Sequence, residues 1–265
     1  MVTSQVSFAE APPSSCRHDV PPMGEATPTR TLIDDIMDAH GGQHLFAMYR
    51  RAQGRFRIEG DLWSTRGGPS ASVGGLFELG LLDQTVRLHC TDPRPIESNF
   101  TPKVLAIDSA DGGYVETQYN PRSSFAEMSV DRPWDDFQLA YICSYSIWNV
   151  VTQPFLFASA GFEVAELQPH QVGEETIRRA QISYPPHIPG HAPKIMCHVG
   201  MDGMMRWQEF RFDLLSASVT SVLKDFVQIQ GIRFASRRTM YRTTELEKPD
   251  PSVFAEISID KLVFY

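Results

Sequence analysis

Residues 133–150 read PWDDFQLAYICSYSIWNV, and this stretch decides the fold. Trp134, Phe137, Tyr141, Tyr145 and Trp148 fall three or four apart, on one face of an α-helix. Leu139, Ile142, Ile147 and Val150 widen that face until the girdle is apolar nearly all round. Pro133 suits a first helical turn, and Pro154 limits the far end. A helix without a polar face must be enclosed, so the rest of the chain has to supply a wrapper.

The flanking sequence reads as strands. Phe56, Ile58 and Leu62 alternate with Arg55, Arg57, Glu59 and Asp61, the period-two pattern of a half-buried strand. Val86, Leu88 and Cys90 repeat it, as do Val115, Thr117 and Tyr119. Beyond the helix come Ala180, Ile182 and Tyr184, then Ile195, Cys197 and Val199. Gln208, Phe210 and Phe212 oppose Trp207, Glu209, Arg211 and Asp213, the last three a solvated charge stripe. Residues 223–229 and 232–241 flank Gln230-Gly231 as a hairpin, and Val253, Ala255, Ile257 and Ile259 form a last strand. Turn markers such as Asp111-Gly112-Gly113 and Met201-Asp202-Gly203 separate them. One amphipathic helix precedes the strands, with Leu32, Ile33, Ile36 and Met37 on one face and Gly41-Gly42 as its stop. A second helical turn follows over 44–50. The predicted fold is mainly β (α+β): a curled antiparallel half-barrel sheet of roughly ten strands around a helical plug, with a cavity.

Residues 1–28, with Pro12, Pro13, Pro21, Pro22 and Pro28 among small and polar residues, read as a flexible N-terminal arm. Residues 29–265 read as a single half-barrel domain. The arm lacks a basic start followed by an apolar run, so no secretory signal is expected and the reading is cytoplasmic. Cys16, Cys90, Cys143 and Cys197 are scattered and read as reduced, packed thiols. With 24 basic and 32 acidic side chains the net charge is -8, which disfavours nucleic acid or an anionic membrane surface as partner. No apolar run approaches the ~18 residues of a membrane span, so no membrane insertion is expected. Phosphate-cradling loops, nucleotide fingerprints and a nucleophile elbow are absent from the sequence, and no cofactor is expected. Oligomeric state carries no sequence signal.

His187, His191 and His198, near Cys197, invite a metal reading. Pro185, Pro186, Pro189, Gly190 and Pro193 forbid a helix there, so the spacing aims no two rings at one point, and no metal site is expected. Imidazole titrates near neutrality, which makes His191 and His187 acid–base candidates, with Tyr145 as a third catalytic candidate. Trp134, Tyr141, Tyr145 and Trp148 are candidates to line a pocket for an apolar ligand; the plainer use of such a stripe is core packing. Arg237-Arg238 reads as a surface or ion-pair feature.

A series of motifs completes the reading. His40-Gly41-Gly42, Gly60-Asp61-Leu62-Trp63 and Pro121-Arg122-Ser123-Ser124-Phe125 come first. Pro133-Trp134-Asp135, Gln153-Pro154-Phe155-Leu156, Tyr184-Pro185-Pro186-His187-Ile188, His191 and Arg237-Arg238-Thr239-Met240-Tyr241 follow. In this order the chain, over about residues 38–265, resembles a widespread uncharacterised bacterial-type family associated with the lipoprotein-carrier (LolA/LolB-like) superfamily. The resemblance implies a half-barrel, and Trp63, Phe125 and Phe155 within its motifs join the ligand-lining candidates. The chain departs from the family at His170, Ile177, Ser144-Tyr145-Ser146-Ile147-Trp148, the strand around Trp207-Gln208-Glu209-Phe210, and Ser221-Val222. A polar site at those positions would be rebuilt here. Two functions fit. One is a cofactor-independent enzyme that folds an apolar small molecule in its cavity and promotes cyclisation or isomerisation. The alternative is a non-catalytic carrier of a lipid or other hydrophobic ligand.

Overall fold

In the computed structural model the predicted helix forms as Asp136–Thr152, and every residue from Gln138 to Thr152 is buried. Asp135 caps it: its side chain accepts from the Gln138 amide, while the Gln138 side chain accepts from the Asp135 amide at 3.2 Å. The structure describes residues 30–66, 72–92, 95–108, 115–126, 132–243 and 252–265, and the arm read over 1–28 lies outside them. Thr31–Tyr265 packs as one unit.

Chain order begins with helices α1, Leu32–Ala39, and α2, Gln43–Phe46. Strand β1 is Arg51–Glu59, the short helix α3 is Asp61–Arg66, and β2 is Ser72–Gly80. Then come β3 Val86–Asp92, β4 Ile96–Phe100, β5 Val104–Asp108 and β6 Val115–Tyr119. The buried helix is α4. After it follow β7 Glu163–Val172, β8 Glu175–Ser183, β9 Lys194–Val199, β10 Met205–Phe212, β11 Ala217–Ile229, β12 Ile232–Arg242 and β13 Ala255–Phe264.

Among the described residues thirteen strands join in one open sheet, in the order β6-β5-β4-β3-β2-β1-β13-β12-β11-β10-β9-β8-β7. Every pairing is antiparallel. The first and last strands meet in the middle, so the sheet has two arms, and α4 is the crossover from one edge strand to the other. It packs against β3, β4 and β5 of one arm. Arg238 of β12, in the other arm, donates to the Val150 carbonyl at 3.3 Å. A sheet that touches both sides of one helix is curled around it, and its inner face carries the core. On β1, burial alternates strictly, with Phe56 and Ile58 inward and Arg55 and Arg57 outward. At the foot of α1, Gly41 has φ +115°, and a Cβ there would stand 2.4 Å from the Gly231 carbonyl oxygen, so only glycine closes this turn against the hairpin.

The described residues hold thirteen strands where roughly ten were expected. Of those not foreseen, β2, β5 and β7 lack a clean period of two, while β4 alternates over too few residues to stand out. β2 carries Gly74-Gly75, where a Cβ on Gly75 would lie 2.1 Å from the His89 carbonyl oxygen. β4 and β5 are five residues each. β7 is exposed on nearly every residue and contains Pro169 at a register shift between Leu167 and His170, which an edge strand tolerates. The first predicted strand also ends early, because Leu62 belongs to α3. Among the described residues no helix is long and apolar enough to cross a membrane.

Trp148, 1% exposed, anchors the plug by donating its indole N–H to the Gly80 carbonyl at 2.7 Å. Trp148→Ala is expected to cost about 3–5 kcal/mol, read as a lower urea midpoint. Met48→Ala, at a residue 66% exposed, should stay within about 0.5 kcal/mol of the parent.

Candidate functional site

The predicted aromatic residues form a continuous row of ring contacts inside the curl. Trp63 meets Trp134 edge-to-face at 5.2 Å between centroids. Trp134 meets Phe125 at 6.3 Å, Phe125 meets Tyr141 at 5.6 Å, and Tyr141 meets Tyr145 at 5.2 Å. The row continues to His191 at 5.2 Å, which stacks on Phe210 and stands edge-on to Phe212. The helical spacing of 134, 141 and 145 aligns three of these rings along α4 and its approach, and the Pro-rich loop after β8 delivers His191 to them. Trp148 and Phe155 lie elsewhere: Trp148 holds the end of β2, and Phe155 stacks on Phe46 at 4.2 Å. His187 is exposed on the rim and does not join His191.

Space opens beside the row rather than within it. A cleft of about 420 Å³ lies between the loop at 184–193 and the opposite rim at Pro102, Lys103 and Arg122, with Tyr141 in its lining. Arg122 pairs with Asp213 at its edge and donates to the Tyr141 hydroxyl at 3.2 Å. A larger hollow of about 670 Å³ touches none of the predicted site residues. It lies on the outer face of the sheet among Arg55, Arg57, Arg237 and Asp260, where Arg55–Asp260 and Arg237–Asp225 pair at 2.9 and 3.0 Å. It is a solvated groove between charged side chains.

Tyr145 Oη lies 3.2 Å from His191 Nδ1. Burial, with Arg238 and Arg122 adding repulsion, pushes the His191 imidazole down to about 3. Burial likewise drives the Tyr145 phenol well up. Both are neutral across the physiological range, and the contact is a hydrogen bond between uncharged partners.

Behind His191 lies a polar cluster that sequence reading missed. Arg238 is 4% exposed, not at the surface as expected, and no carboxylate pairs with it among the described residues. Its Nη1 donates to Gln153 Oε1 at 2.6 Å and to Gln208 Oε1 at 3.3 Å. Gln208 also donates to Gln153 Oε1 at 2.9 Å, and Gln153 donates to the Tyr184 hydroxyl at 2.7 Å. The correction has a simple cause: neighbouring residues on a strand face opposite ways, so Arg237 goes out and Arg238 goes in. The parity of Ile232, Phe234 and Met240, all inward, was the signal that could have placed it. Gln208 and Ser221, two of the departures from the family pattern, lie in this same cluster.

His40, with burial lowering it to about 4, behaves as His191 does. Both imidazoles bind protons near 6.5 when unfolded and only near 3–4 when folded. The unfolded chain therefore holds more protons in between, and stability falls as pH drops below about 6.5. The expected slope is up to about 1.4 kcal/mol per pH unit for each imidazole, measured as Tm between pH 7.5 and 5. His191→Phe should make that slope shallower.

No protein-family model matches the chain, and no curated protein sequence does. Solved structures are similar in shape. A LolA-superfamily protein from Nitrosomonas europaea superposes with TM-score 0.52 at 9% identity, over 89% of this chain and 94% of that one. A DUF1329-family protein from Desulfovibrio piger gives TM-score 0.45 at 10% identity, over 89% and 94%. At 9% identity the first of these likenesses is one of fold alone: the chain has a LolA-like architecture, an open antiparallel sheet curled around a helical plug.

Proposed function

We propose that this protein binds a hydrophobic small molecule and carries it unchanged. The observation that carries the reading is the cleft of about 420 Å³, walled by Pro185, Pro186, Ile188, Pro189 and Pro193 beside the buried aromatic row. That volume is in the range of about 300–1,000 Å³ that holds small organic ligands. Proline fixes its own φ, so these residues lose little local conformational freedom on binding. Tyr141 and the Arg122–Asp213 pair supply polar handles at its edge. The LolA-like fold and the resemblance to lipoprotein carriers support the same reading.

Carriage is better supported than cyclisation or isomerisation. An acid–base route needs a group that exchanges a proton near neutrality. His191 and Tyr145 are both held neutral there, and neither lines the cleft, where His187 is the one predicted acid–base candidate present, exposed and without either of them beside it.

The test is titration with N-phenyl-1-naphthylamine, an uncharged apolar fluorophore. Saturable binding is expected, weakened at least tenfold by Ile188→Glu with Tm preserved. No saturation, or no effect of Ile188→Glu, overturns the reading. Native mass spectrometry of protein from its source should show an apolar molecule retained unchanged, and its conversion on incubation would favour an enzyme.

A further inference from the structure

Arg238 is a buried cation whose hydrogen-bond partners are all neutral: Gln153, Gln208 and the Val150 carbonyl. Among the described residues its Nε–H has no partner, and Nη2 makes one bond, the 3.3 Å contact to the Val150 carbonyl. Burial lowers its pKa to about 10, offset only by Tyr184 and Cys197, so it stays charged at neutral pH. A void of about 10 Å³, the size of one water, adjoins it. Asn149 Oδ1 and Ser221 Oγ, on residues lining that void, are also buried without partners. A buried charge balanced by dipoles alone is costly, and a counter-anion relieves that cost. The Nε–Nη2 edge, with Nε unpartnered and Nη2 in one long contact, has the fork geometry that matches a carboxylate.

The void is close to the outer cleft. Tyr184 lines both. His191 lines the void, while its neighbours Gly190 and Ala192 line the cleft. The segment 190–192 therefore borders both. The structure assigns Arg238 as an anion site that takes a carboxylate when the loop at 184–193 is displaced, which widens the one-water void and joins it to the cleft. Two sources share this chemistry: the head of the carried molecule, making the ligand an amphiphilic acid, or a free small carboxylate. The first rests on the carrier reading; the second does not.

Three probes at pH 7.5 separate these outcomes: dodecanoate, dodecanol and formate, titrated into the wild-type protein, Arg238→Met and Arg238→Lys. Dodecanoate is expected to bind at least tenfold more tightly than dodecanol. Arg238→Met should erase the difference, and Arg238→Lys should keep part of it. If only formate acts, raising Tm in wild type and not in Arg238→Met, the anion site stands with a free carboxylate and the carrier reading falls. Equal affinity for dodecanoate and dodecanol, with no formate effect, overturns the anion site and leaves the carrier reading standing. Should no probe bind or shift Tm, both are overturned. Ser221→Asp guards against an Arg238 variant that does not fold. A carboxylate supplied there by the chain itself should raise Tm and remove the preference for the acid, and a preference that survives it overturns the assignment.

Discussion

The whole architecture follows from one helix that has no side to show to water. From Gln138 to Thr152, α4 is buried at every residue, so burial of its apolar surface is available only if the sheet surrounds it. The connectivity makes this possible. The chain leaves the edge strand β6, crosses the concave face as α4, and re-enters at the opposite edge strand β7. Curvature of the sheet is thus the condition for burying the plug, and β1 paired with β13 is the spine about which the two arms bend.

A plug buried all round also carries polar groups inward, and their satisfaction binds the parts together. Thr152 donates to the Trp148 carbonyl at 2.7 Å within the helix. Asn149 donates to the Tyr145 carbonyl at 2.8 Å and to the Pro189 carbonyl at 3.0 Å, which ties the proline-rich loop to the helix. Gln84 donates to that same Pro189 carbonyl from the other arm at 3.0 Å. The loop that walls the cleft is therefore tied at one point, the Pro189 carbonyl, which joins the two arms through hydrogen bonds. Arg238 enters this set as the only member with a full charge, and its field helps hold His191 neutral.

Much of the site could be read residue by residue. Trp134, Tyr141 and Tyr145 announced a shared face by their spacing, and the structure sets them in one row with Phe125 and His191. Trp148 shares that spacing, yet its indole turns to the end of β2, because the helix meets different walls at different heights. His187 and His191 are four residues apart in a loop whose prolines impose no common direction, and only one ring enters the core. Arg238 was the largest miss. Two adjacent arginines look alike in sequence, while the strand sends one to solvent and one beneath the helix.

The sequence alone determined that a nearly all-apolar helix lies among period-two strands, and hence that a mainly β wrapper encloses a plug. Local periodicity carries that information, because a side chain's face depends only on its position along its own element. The tertiary structure alone decided the number of strands, the edge role of β7, and the meeting of Gln153, Gln208 and Arg238 from three separate elements. It also decided that the cleft lies beside the aromatic row rather than within it. These features arise from pairing and packing between residues far apart in the chain, where no local pattern reaches.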